Sequence, residues 1–252
     1  MPSDRSRIPG LTASHTPAAV QSRLSGSSGS YLRDFVYGAV DGTVTTFAVV
    51  AGAAGAGLTA TIVIILGVAN LIADGFSMAV SNYLGSRADR QFEQRARREE
   101  SEHVELIPEG ELEELRQILQ AKGLQGERLD RAVDAISADP TLWVDIVLRD
   151  GMGISIDSRN PVKAAGATFV AFLVAGSLPL SPFVVQAFAP GPERVFLWSS
   201  LMTGTAFFVI GSLKEKMVGA SPWRGGIETL LLGGAAATLA FLAGDLLEGL
   251  LR

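Results

Sequence analysis

The stretch 68-VANLIADGFSMAVSNYLG-85 runs without a proline into 86-SRADRQFEQRARR-98. The first half is apolar and helix-forming; the second is charged. Within the apolar half, Asn70, Asp74, Met78 and Asn82 recur at every fourth position. Residues at i and i+4 share one face of a helix. A carboxylate, a thioether and two amides therefore line one stripe of a segment made largely of Leu, Ile, Ala, Val and Phe. That stripe reads as the wall of a metal path through a membrane.

Working outward, the 252-residue chain is 48% hydrophobic with a mean hydropathy of +0.31, more apolar than a soluble domain of this size and consistent with several membrane spans. The absence of cysteine rules out disulfides and thiolate metal sites. The net charge of −5 hides a segregation: residues 86–163 hold 17 of the 26 acids and 12 of the 21 Lys and Arg. No basic nucleic-acid footprint is present. Nor is there a nucleophile–base constellation, phosphate loop or dinucleotide fingerprint in a fitting context, so an enzyme is not expected.

Four segments follow from the pattern. Residues 1–30, rich in Ser, Pro, Gly and Arg, read as a disordered tail without the apolar core of a signal peptide. Residues 31–98 read as spans one and two, joined by the tight Gly57–Thr59 turn, with a charged extension of span two to about Arg98. Residues 99–160 read as a soluble, acidic helical module, with Pro108 opening one of its helices. Residues 161–252 hold three further spans, the first with a proline-interrupted end, 178-LPLSPFVV-185. The expected fold is thus an all-α membrane protein of five transmembrane helices, with a small cytoplasmic helical metal-binding module between spans two and three. Arg87, Arg90, Arg95, Arg97 and Arg98 at the exit of span two place that end, and the N-terminus, in the cytoplasm.

Asp34, Asp41 and Asp74 lie within or at the edge of spans one and two. A charged side chain at the bilayer centre costs roughly 2.5–3.5 kcal/mol, so these should face protein, water or an ion. Asp74 and Asp41, with Met78, Asn82 and Thr45, form the expected path. Carboxylates alone suit Mg²⁺ or Ca²⁺, whereas a sulfur ligand favours softer transition ions. A carboxylate can also carry a proton when the metal leaves. In the soluble module, eight glutamates fall between Glu99 and Glu114 with no Lys or Arg among them. Glu100, His103, Glu111 and Glu114 form two i, i+3 pairs on successive helices, able to converge on one cation. Glu100-x-x-His103 also has the shape of a di-iron ligand pair.

These residues stand within motifs that resemble the vacuolar iron transporter family, with its iron and manganese transporters. The likeness rests on Asp41-Gly42-Thr43-Val44-Thr45, Ser77-Met78-Ala79 followed by Asn82-Tyr83-Leu84, Leu142-Trp143-Val144-Asp145, Leu178-Pro179-Leu180 and Gly211-Ser212-Leu213-Lys214, and spans about residues 31–250. The resemblance implies a five-span homodimer that moves Fe²⁺, and often Mn²⁺, out of the cytosol in exchange for protons. It implies metal ligands at Asp41 and Met78 in a pore at the dimer interface, and at Glu100, His103, Glu111 and Glu114 in the cytoplasm. The sequence departs from the family pattern at His103, where Glu is usual, at Val147-Leu148 in place of two methionines, at Gly151 in place of Glu, and at Asn82, where many members have Glu. Asp145 or Asp150 is the expected substitute ligand. The expected partners are divalent metal ions, protons, membrane lipid and a second copy of the chain, with no permanently bound cofactor and no nucleic acid. Ala, Gly and Arg content and short loops lean toward a bacterial cytoplasmic membrane. A Mn²⁺ exporter, a membrane-anchored iron oxidase or store, and a non-transporting helical scaffold remain as alternatives.

Overall fold

A computed structural model describes residues 15–25, 31–156, 159–189 and 194–251. Every regular element among them is helical. They fall into two compact units, Met1–Leu84 with Arg159–Arg252, and Gly85–Ser158. Within the stretch read as a tail, Pro17–Ser25 forms a short helix, α1, with proline at its start where a missing N–H costs nothing.

In the first unit, α2 (Leu32–Gly55) and the first part of α3 (Ala60–Leu106) are joined by a turn at Gly57, whose φ of +62° is open to glycine and costly for other residues. Then come α7 (Pro161–Phe188), α8 (Val195–Met217) and α9 (Pro222–Leu251). All five helices are long and apolar enough to cross a membrane. The core joins Phe47, Val50, Phe172, Leu180 and Phe207. Backbone meets backbone between α2 and α7: a Cβ added at Gly38 would overlap the Thr168 carbonyl, and one at Gly42 that of Phe172. Small residues thus let two helices touch where lipid gives no hydrophobic drive for them to do so.

Helix α7 departs from expectation. Its prolines, Pro179 and Pro182, do not interrupt it, and it continues to Phe188. Proline at 182 leaves the Leu178 carbonyl without its usual i+4 donor, and the Ser181 hydroxyl donates to that oxygen at 2.8 Å. Ser199 of α8 donates to the Pro179 carbonyl at 2.6 Å.

The second unit holds the far part of α3, then α4 (Pro108–Ala121), α5 (Glu127–Ser137), α6 (Pro140–Ile146) and a π-helical turn, Val147–Gly151. Helix α3 does not end near Arg98 but runs to Leu106, because nothing breaks it before the Pro108 start of α4 and pairs such as Arg95–Glu99 at 2.7 Å support it. Ile107, ahead of that proline, is driven out of the helical region, to φ −133°. Asp139 caps α6 by accepting from the backbone N–H groups of Thr141 and Leu142 at 3.0 and 3.3 Å. The core of this unit joins Leu115, Leu119, Leu129, Val133, Trp143 and Val147.

Candidate metal path and acidic site

The four-residue stripe of α3 divides once side chains are placed. Asp74 is exposed on the apolar span, and only 22% of the most apolar window of that span is buried. Asn70 is half-buried, and its Nδ2 is enclosed without a hydrogen-bond partner. Met78 is half-buried and packs against the core cluster of Phe47 and Phe172. Asn82 is tied down: its Nδ2 donates to Asp34 Oδ1 at 3.0 Å and to Thr168 Oγ1 at 2.7 Å.

On α2, Asp41 is half-buried. Thr45 turns its hydroxyl onto the Asp41 backbone carbonyl at 2.9 Å, so that hydrogen is committed to the helix. Asp34 is buried, and Arg159 Nη1 lies 3.4 Å from its Oδ2. Arg159 and Thr168 stand out only in three dimensions. The one sequence signal for them is the Asn160-Pro161 helix start, which brings Arg159 to the foot of α7; Asn160 Oδ1 caps that helix through the Val162 and Lys163 N–H groups.

In the second unit, Glu100 of α3 and Glu111 of α4 are 3% and 5% exposed. His103, one turn along from Glu100, is half-exposed, with Nδ1 3.8 Å from Glu100 Oε1 and 3.6 Å from Glu111 Oε1. One ligand atom from each of the three lies within 4.8 Å of the others. Glu100 Oε2 and Glu111 Oε2 are buried with no hydrogen-bond partner. Two enclosed carboxylates facing each other must share a proton or a cation. Burial first, then the charges of Glu111 and Glu114, raise the Glu100 carboxyl above its ordinary range, with His103 pulling the other way. Glu111 is raised in the same way, by burial and then by Glu114. Glu114 stands outside the group of three but near enough to act on both by charge.

The substituted positions have other occupations. Val147 is part of the core of this unit, and Leu148 packs with Ala96 and Val144. A Cβ at Gly151 would lie 2.9 Å from Ile118 Cδ1 and 3.3 Å from Glu114 Oε1. Asp145 is paired with Arg97. Asp150 is 3.1 Å from Lys122, whose hydrogen bond holds the Asp150 carboxyl below its ordinary range. Neither aspartate is among the three converging side chains.

Five apolar spans with a helical insert after the second define the class: a multi-pass membrane protein. The model of the VIT family matches residues 32–245, and the chain belongs to that family. It is 32% identical to the vacuolar iron transporter of Toxoplasma gondii, over 88% of this chain and 76% of the relative. It is 28% identical to vacuolar iron transporter 1 of Arabidopsis thaliana, over 85% of each chain. With the vacuolar iron transporter of Plasmodium falciparum it shares 29% identity, over 86% of this chain and 82% of the relative.

Proposed function

We propose that the protein transports divalent transition metal, Fe²⁺ foremost, out of the cytosol in exchange for protons, as a homodimer. The observation that carries this reading is the pair Asp41 and Asp74, carboxylates on two successive apolar spans, one half-buried and the other exposed on a single chain. Lipid is a poor neighbour for Asp74. A second copy of the chain, meeting this one along α3, would enclose it in a polar path. Asp41, Asp74 and Met78 line that path. The thioether biases it toward transition ions, and the carboxylates return protons as the metal leaves. That relatives are named iron transporters supports Fe²⁺ as the first ion to test, ahead of Mn²⁺.

The second unit is the cytoplasmic module that gathers metal for the path. Glu100, His103 and Glu111 are its ligands and Glu114 adds negative charge, a nitrogen and oxygen donor set with no sulfur. The arginines at the exit of span two support a cytosolic side for this module and the N-terminus, and the composition suits a bacterial cytoplasmic membrane.

The test is flux into liposomes holding the purified protein, comparing Fe²⁺, Mn²⁺, Co²⁺ and Ca²⁺ with and without a pH gradient. Gradient-dependent Fe²⁺ entry that is lost in Asp41→Ala supports the reading. Oxygen-dependent Fe²⁺ oxidation without flux would replace it with an oxidase.

A further inference from the structure

The strongest feature left unused by this reading is the polar knot at Asp34. It joins the first turn of α2, the α3 stripe and the start of α7, all within one unit. Asp34 receives Asn82 on one carboxylate oxygen and Arg159 on the other. The Thr168 hydroxyl, which accepts from Asn82, lies 3.1 Å from the Ala164 carbonyl and 3.4 Å from that of Asp34. Both hydrogens of the Asn82 amide nitrogen are committed to these partners.

The helices it joins are not held alike. At Gly38, α2 and α7 meet backbone to backbone on Thr168 itself, so those two helices form one stiff pair. Among the described residues, helix α3 has no such close backbone packing with its neighbours. It meets them through side chains: Leu71 lies over Gly176, and Phe172 lies over Gly75. A helix seated on side chains can slide or rotate more easily than one locked at glycine. Asn82 supplies a directional link from α3 to the stiff pair, one turn from Met78 and two from Asp74. Asp34 lies two turns from Asp41 on the other side of the link.

We propose that Asn82 and Asp34 are positioning residues for transport: with Arg159 and Thr168 they fix the register of α3 against α2, and so set Asp74 and Met78 opposite Asp41. Asn82 is then not a metal ligand. The inference rests on the transport reading and refines it, because it moves Asn82 from the path to its framework.

The amide–carboxylate pair is directional and reversible, so the test is an exchange. Asn82→Ala and Asp34→Asn each lower the maximal Fe²⁺ flux in liposomes by about ten- to a hundredfold, the scale of one hydrogen bond to a charged group. The half-saturating metal concentration stays unchanged. The double exchange, Asp34→Asn with Asn82→Asp, puts a carboxylate back opposite an amide and restores most of the flux. A ligand role gives the opposite pattern: Asn82→Asp alone tightens half-saturation, and the exchange rescues nothing. That pattern would overturn the proposal.

A second arm needs no transport. The chain has no cysteine, so spin labels at Leu32→Cys and Leu84→Cys, both exposed positions, report the spacing of α2 and α3 in lipid nanodiscs, with labelled chains diluted in unlabelled ones. One narrow distance distribution is expected, broadened or shifted by Asn82→Ala and recovered in the exchange. An unchanged distribution in Asn82→Ala would overturn the positioning role. If the unaltered protein carries no metal, the transport reading fails on its own, and this distance measurement still decides whether Asn82 sets the register.

Discussion

Replacing Glu100 by Gln should make the metal-free protein more stable around α4 and the metal-bound protein less protected. Glu100 and Glu111 are both enclosed, and their ligand atoms lie within 4.8 Å. At an effective dielectric constant near 20, two full charges at that separation repel by about 3.5 kcal/mol. His103 offsets part of this and proton sharing a further part, which leaves an expected gain of about 1–2 kcal/mol for the neutral amide at pH 7.5. At the proposed metal site the same substitution removes one of three ligands. Even an orienting partner of a ligand is worth about 10–100-fold in affinity, so a thirtyfold loss is a conservative figure. At a metal concentration 100 times the dissociation constant, the unaltered protein gains about 2.7 kcal/mol and the variant about 0.9 kcal/mol. Hydrogen–deuterium exchange of the α4 amides, on the full chain in nanodiscs with and without Co²⁺, reads both local quantities. Lower protection of metal-free Glu100→Gln would mean that its carboxylate is held by good partners. Equal protection of both proteins by Co²⁺ would remove Glu100 from the ligand set. Either result refutes the reasoning.

Four further outcomes are expected. Glu100 and Glu111 have folded pKa values raised above the ordinary 4.5; the stability they contribute is full below that value and is lost as pH rises through the folded values. A divalent ion replaces the displaced protons, so metal-dependent protection of α4 should grow with pH, and a flat profile would argue against metal at this pair. Asp41→Asn should fold normally by size-exclusion chromatography yet lose at least about tenfold in Fe²⁺ flux, in keeping with a carboxylate that both binds and carries a proton; undiminished flux would exclude it from the path. Gly38→Ala drives a methyl group into the Thr168 carbonyl and should cost about 1–3 kcal/mol, seen as a lower thermal midpoint in detergent. Asp139→Ala removes the α6 cap and should cost about 1 kcal/mol, visible as faster exchange at Thr141 and Leu142 with little change in the spans.

How much of this was legible in the chain differs by level. The five spans could be read directly, because a helix in lipid must satisfy its own backbone and present about twenty apolar residues, a demand each segment meets or fails by itself. The i, i+4 stripe of α3 and the two i, i+3 pairs around Glu100 and Glu111 were equally local, since helical geometry alone sets which residues share a face. Helix ends were less legible. The chain carries the Pro108 start of α4, but the persistence of α3 past Arg98 and of α7 past Pro182 depended on local partners, such as Glu99 for Arg95 and the Ser181 hydroxyl for the freed Leu178 carbonyl.

Tertiary structure alone decided which stripe residues share a task. Asn70, Asp74, Met78 and Asn82 are equivalent by spacing. Yet Asn82 faces a buried carboxylate 48 positions away and Met78 leans on the core, while Asp74 is left exposed. Likewise Glu100, His103 and Glu111 converge while Glu114 stands aside, although the spacing offered all four alike. Helical periodicity determines direction around one axis, and one sequence carries that in full. What waits at the end of that direction is set by the neighbouring helices, whose approach depends on contacts such as Gly38 against Thr168 that no local pattern specifies.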